Sequence, residues 1–135
     1  FSAGFYVPEN IYILGTMNDI DRSVESMDFA IRRRFTWREI SAVDTQEEML
    51  QLLDKSIREK AKKSMNALND AILNPDYHLG AAYQIGASYF LKLQHDPNFD
   101  NLWKFHLKGV IYEYLRGQRD IDSKLEEIYN AFIAE

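Results

Sequence analysis

The apolar positions of this chain follow two patterns that meet near residue 41. In the first stretch they cluster. "IYIL", Ile11 to Leu14, is a continuous β-prone run that follows the turn signals Pro8 and Asn10. Such a run suits a strand buried on both faces, as in a parallel sheet covered by helices. Gly15 comes next, where the backbone can leave the strand and another backbone or a ligand can approach closely. "SVESMDFAIRRRF" then predicts a short helix, capped by Ser23, Ser26 or Asp28, with Met27, Ala30 and Ile31 on one face. "FTWREI", Phe35 to Ile40, alternates apolar and polar residues of β-prone type and predicts a second strand.

From Asp44 onward the spacing becomes helical. "TQEE" has the form of a capping box, Thr45 at the cap and Glu48 three residues on. Met49, Leu52, Leu53, Ile57, Ala61, Met65, Leu68 and Ile72 then recur at helical intervals up to Asn74-Pro75. This length predicts one long helix, or two with a break near Lys55. Residues 76–95 predict a loop and a short helix, "IGASYFLKL". A further amphipathic helix is predicted from Phe99 to Arg116, with Leu102, Trp103, Leu107, Val110, Ile111, Tyr114 and Leu115 inward and Gly117 just past its end. The last helix is predicted to start at Asp122 or Ser123 and to bury Leu125, Ile128, Tyr129 and Phe132.

Two strands and one helix cannot close a layered α/β domain. The predicted fold class is therefore an α+β fragment, mainly α. Residues 1–40 would be the C-terminal fragment of an α/β sheet subdomain, and residues 41–135 a helical subdomain with its own core. The opening "FSAGFYVPEN", apolar and without an initiator methionine, adds the expectation that a longer protein contains this chain.

Composition narrows the function classes. With 135 residues, 46% hydrophobic and 27% charged, the chain has the make-up of an ordinary globular domain. No apolar run reaches the roughly 18–20 residues of a membrane span, and no basic-then-apolar leader opens the sequence. The absence of cysteine removes disulfides and thiolate metal sites and fits a cytoplasmic setting. A formal charge of −5 argues against a broad nucleic-acid surface on this segment.

Few residues are placed to do chemistry. Asn18 lies beyond the end of the first predicted strand, where ligands gather in open α/β sheets. Its amide can accept from a water while donating to a phosphate oxygen, or it can close an Asx-turn at the strand end. Arg32, Arg33 and Arg34 cannot share one helix face, since neighbours lie about 100° apart. One is expected to pair within the domain and others to project. Their forked, permanently charged groups match phosphate oxygens, or complement the helix dipole. On their own, Asp21 and Arg22 read as a local ion pair or as a turn residue with a solvated neighbour. His78, His95 and His106 have no ligand-like spacing, so no metal is assigned.

Taken together, Gly15-Thr16-Met17-Asn18, Asp21-Arg22-Ser23 and Ala30-Ile31-Arg32-Arg33-Arg34-Phe35 resemble the AAA+ NTPase domain of the McrB-type, 5-methylcytosine-specific restriction motors. "YQIGASYF" and "VIYEYL" are looser echoes of the same family. The resemblance implies a sensor-1 role for Asn18 and a place beside the nucleotide for Asp21 and Arg22. It implies an arginine-finger role, reaching a neighbouring subunit's nucleotide, for Arg33 and Arg34. The helical half would be the lid. Where the family often has His in I-G-H-S, this chain has Ala87, which leaves Ser88 to contact nucleotide or leaves the motif to pack the lid. No G-x-x-x-x-G-K-[ST] loop and no Mg²⁺-binding acidic strand end occur in the sequence. The implied protein hydrolyses GTP or ATP with Mg²⁺ held by residues outside this chain. It forms a homo-oligomeric ring, works with a nuclease subunit on DNA contacted elsewhere, and is not attached to a membrane. This segment alone would be inactive. The alternatives are a non-catalytic helical assembly module and an AAA+ ATPase outside DNA restriction.

Overall fold

A computed structural model describes residue 4, residues 7–18, residue 20 and residues 29–134. Six α-helical segments occur among them. These are α1 (Phe29–Arg32), α2 (Gln46–Leu50), α3 (Lys55–Ile72), α4 (Phe99–Leu102), α5 (Lys108–Tyr114) and α6 (Ile121–Ile133). Trp103–Leu107 joins α4 to α5 as a π-helical turn. Pro75–Tyr77, Ala81–Tyr83 and Phe90–Gln94 are 3₁₀ turns between α3 and α4.

The framework is α3 against α6, the most extensive pairing of elements. On α3, Ala61, Met65, Leu68 and Ile72 recur every three or four residues and are fully buried, while its lysines face outward. α6 answers with Leu125, Ile128 and Phe132. Phe132 is the hub of an aromatic cluster. Its ring centroid lies 5.7 Å from Trp103, 6.1 Å from Phe99 and 6.2 Å from Phe90. Burying a side chain of this size contributes about 1.5–3 kcal/mol, and favourable ring pairs add about 0.5–1.5 kcal/mol each.

The break expected near Lys55 falls between α2 and α3, and an arginine holds it. Leu50 and Leu53 turn into the core on either side, whereas Leu52, expected to face inward, is 63% exposed. The last carbonyls of a helix need partners. Arg58 Nη2 donates to the Gln51 carbonyl at 2.7 Å and to the Leu53 carbonyl at 2.9 Å, and Gln94 Nε2 donates to the Leu52 carbonyl at 2.9 Å. Thr45 occupies the N-cap position of α2, but its side chain caps nothing, so the expected capping box is not made.

After α3, Asn74 Oδ1 accepts from the Asp76 N–H at 3.1 Å, and Pro75 prevents the helix from continuing. Tyr77 is buried, and its hydroxyl donates to Glu127 Oε2 at 2.6 Å. Burial, then the bond to Glu127, pushes this phenol up to about 12. Gln118 Nε2 donates to the Tyr77 carbonyl at 2.6 Å, so this turn is tied both to α6 and to the α5–α6 connection. Gly117 sits there at φ +86°, a left-handed conformation that glycine adopts without strain. α6 begins at Ile121, earlier than the Asp122 or Ser123 cap suggested by composition, because Ile121 packs on the core.

The sheet half of the expected α+β architecture does not appear among the described residues. Ile11–Leu14 and residues 36–40 have no helical structure and belong to no ladder. A strand needs a neighbouring backbone to accept and donate its hydrogen bonds, and among the described residues neither run is paired in a ladder. The side chains confirm the lack of cover: Tyr12 is 94% exposed and Leu14 96%. The described residues are thus helical, and no helix among them is long and apolar enough to cross a membrane.

Candidate functional site

The arginine run is positioned by a single helical turn. α1 has four residues, and the backbone N–H groups of Arg33 and Arg34 donate back to the carbonyls of Phe29 (3.3 Å) and Ile31 (3.0 Å). Arg32 is the one that pairs locally. Its carbonyl accepts from the Trp37 indole N–H at 2.7 Å, and its guanidinium lies 5.6 Å from the centroid of the same ring. This cation–π contact ties α1 to the segment that follows it. Arg33 and Arg34 are exposed, and their guanidinium groups have no hydrogen-bond or ion-pair partner among the described residues. Each keeps five N–H donors and a full charge for an outside acceptor, a combination suited to phosphate.

Asn18 is exposed, and its Oδ1 accepts a long hydrogen bond of 3.4 Å from the Ile20 N–H. This is the Asx-turn geometry that its sequence position allows. The amide nitrogen keeps its donors available to a ligand oxygen. Asp21, Arg22 and the proposed cap Ser23 lie outside the described residues.

Ser88 belongs to a turn between two 3₁₀ segments. Gly86 and Ala87 carbonyls accept from Tyr89 N–H (3.3 Å) and Phe90 N–H (3.0 Å), which winds the chain into the Phe90–Gln94 segment. Ala87 is 1% exposed and packs in the core, while Ser88 next to it faces solvent. A larger side chain in place of Ala87 would need the surrounding core to yield.

The reading of spacing passed over the residue that holds this turn. Asn69, on α3, is buried, and both ends of its amide bond the Ile85 backbone: Nδ2 to the carbonyl at 3.0 Å and Oδ1 from the N–H at 2.7 Å. A signal for it existed in the sequence, since Asn69 interrupts the apolar stripe between Leu68 and Ile72. Gln46 is a second buried amide, donating to Asn66 Oδ1 at 2.7 Å.

No hydrogen bond, ion pair or ring contact among the described residues brings Asn18, Arg33 or Arg34 to Ser88 or to one another. An open cleft of about 460 Å³ lies elsewhere, lined by Lys60, Ser64, Asp96, Asn98, Phe99 and Ile133, and contains none of the predicted site residues. Among the described residues no group of three or more His, Asp or Glu side chains could hold a metal ion. The chemistry available is that of donors and cations: two exposed guanidinium groups, an amide and a hydroxyl, all fitted to phosphate and ribose oxygens.

Comparison with known proteins gives these features a context. Residues 60–122 match the family model of the McrB alpha-helical lid domain. Over 91 residues, 64% of this chain, the sequence is 44% identical to the Type IV methyl-directed restriction enzyme EcoKMcrB subunit of Escherichia coli (strain K12). The match covers 20% of that protein, so the chain spans about a fifth of the relative's length. No solved structure matches the chain significantly.

Proposed function

We propose that the chain, whose residues 60–122 match the McrB alpha-helical lid model, serves an AAA+ motor of a modification-dependent restriction system, hydrolysing GTP or ATP. Residues 1–40 would belong to the nucleotide-binding subdomain and residues 41–135 to the lid. The observation that carries this reading is the pair Arg33 and Arg34. Among the described residues their guanidinium groups have no partner, while Arg32 is engaged beside them.

In this reading Arg33 and Arg34 reach the nucleotide of the adjacent subunit in a ring. Their guanidinium groups neutralise charge that builds on the transferred phosphoryl oxygens. Asn18 aligns the attacking water by accepting a hydrogen bond from it at Oδ1, with its amide N–H groups directed at the γ-phosphate. Asp21 and Arg22 sit beside the same nucleotide, and Ser88 contacts it from the lid. A Mg²⁺ bound with the nucleotide would draw charge from the β- and γ-phosphates. A nuclease subunit and DNA would be the working partners of the whole protein, in the cytoplasm.

The test is hydrolysis of GTP and of ATP by a version of the protein that includes a phosphate-binding loop, compared with the same protein carrying Asn18→Ala. Turnover that collapses in the variant supports the motor reading, and the faster substrate identifies the base. Equal turnover in both proteins would remove Asn18 from the mechanism.

A further inference from the structure

Asn69 is 4% exposed and occupies the inward stripe of α3. Buried there, an amide is unfavourable unless its donor and acceptor are both met. One residue meets both. Ile85, sixteen positions on, gives its carbonyl to Nδ2 at 3.0 Å and its N–H to Oδ1 at 2.7 Å. The side chain thus bonds the Ile85 backbone as an adjacent strand would.

The segment it grips has little else to fix its path. Between Gly80 and Ser88 the only regular structure is the turn Ala81–Tyr83. Ile85 and Ala87, each 1% exposed, anchor the segment in the core, and Ser88 emerges directly after them. A leucine at position 69 would fill the stripe without needing partners. The amide differs from it only by what it holds. The two bonds fix the height and rotation of Ile85, and through three peptide units they fix the direction in which Ser88 leaves the surface.

We infer that Asn69 is a positioning residue, which clamps the Ile85 backbone and so presents Ser88 to the nucleotide; the inference rests on the proposed contact between Ser88 and nucleotide. Asn69 does not touch the ligand. It acts through the turn.

The test measures KM and kcat for GTP and for ATP, together with melting temperature, in the hydrolase that contains this chain. Three single variants are compared: Ser88→Ala, Asn69→Leu and Asn69→Asp. Leucine keeps the packing and abolishes the clamp. Aspartate keeps an acceptor for the Ile85 N–H and loses the donor, so it forms half a clamp and covers the case in which the leucine variant does not fold. The expected result is a KM raised about tenfold by Asn69→Leu and less by Asn69→Asp, with kcat little changed. Combined with Ser88→Ala, neither Asn69 variant should raise KM beyond the larger single effect, because both act on one contact.

If Ser88→Ala raises KM while the Asn69 variants change melting temperature alone, the clamp serves only the fold and the inference falls. If Asn69 variants raise KM and Ser88→Ala does not, the clamp acts through something other than Ser88, and the inference falls in its stated form. If none of the variants moves KM in an otherwise active enzyme, the proposed Ser88 contact fails, and the inference goes with it.

Discussion

Replacing Arg33 by alanine should leave the fold untouched and still cost the protein almost all of its turnover. The structural side follows from exposure. Arg33 has no side-chain partner among the described residues, and the one bond that places it, Arg33 N–H to the Phe29 carbonyl at 3.3 Å, is a backbone bond that alanine also makes. Surface changes of this kind stay within about 0.5 kcal/mol. The kinetic side is of another order. An arginine finger is worth about 10³–10⁵ in rate, or about 4–7 kcal/mol of transition-state stabilisation. A variant that melts with the parent protein and turns over a thousandfold more slowly has therefore lost chemistry. Mixing then tests the proposed arginine-finger role. In a ring assembled at random from equal amounts of Asn18→Ala and Arg33→Ala subunits, about a quarter of the sites combine an intact Asn18 with an intact neighbouring Arg33. Two nearly inactive preparations should recover activity to that extent. The reasoning is refuted if mixed rings form and stay inactive, which would mean that a single subunit supplies both residues to a site, or if Arg33→Ala alone retains full turnover. Arg34→Ala, tested in the same way, shows which of the two arginines reaches across.

The remaining predictions concern the lid. Phe132→Ala removes the ring on which Phe90, Phe99 and Trp103 converge, and should cost about 3–5 kcal/mol in urea unfolding; a loss below about 1 kcal/mol would show that the aromatic cluster is not the core. Tyr77→Phe deletes the hydroxyl bonded to Glu127 at 2.6 Å, a loss of about 1 kcal/mol near neutral pH. The folded phenol holds its proton up to about 12, above its ordinary value of 10.0, so its contribution is complete below pH 10 and declines as pH rises toward 12. Alkaline unfolding curves of the native and Tyr77→Phe proteins should therefore converge over that interval, and parallel curves would contradict the assignment.

How much of this was legible depends on what each pattern encodes. The stripes of α3 and α6 report a helical period and an inward face together, so Ala61, Met65, Leu68, Ile72, Leu125, Ile128 and Phe132 were placed correctly from spacing. The run Ile11–Leu14 reports only that its side chains want cover, and it does not say which backbone supplies the hydrogen bonds. Hence a β-prone segment lies exposed among the described residues. Thr45 and Glu48 have the spacing of a capping box, yet the five-residue α2 closes with no side-chain bond from Thr45. The arginine run was half legible. Geometry required one of the three to turn aside, but only Trp37, five residues beyond Arg32, decided which. Asn69 escaped because an isolated amide reads as polar, and its partner Ile85 is distant in sequence.

The π turn at Trp103–Leu107 has a consequence for the length of the chain. A π turn closes over one more residue than an α turn, so it stores a single insertion inside an otherwise regular helix. Here the surplus falls among Lys104, Phe105 and His106, all exposed, while Trp103 before them and Leu107 after them are buried. Removing one of the three would shorten the step between the flanking core residues from four to three, an ordinary α-helical spacing, and Leu107, Ile111 and Leu115 would keep their common face. Related lids can therefore differ by one residue at this point without repacking, and an alignment that forces a gap into a neighbouring loop instead would misplace every core position beyond it.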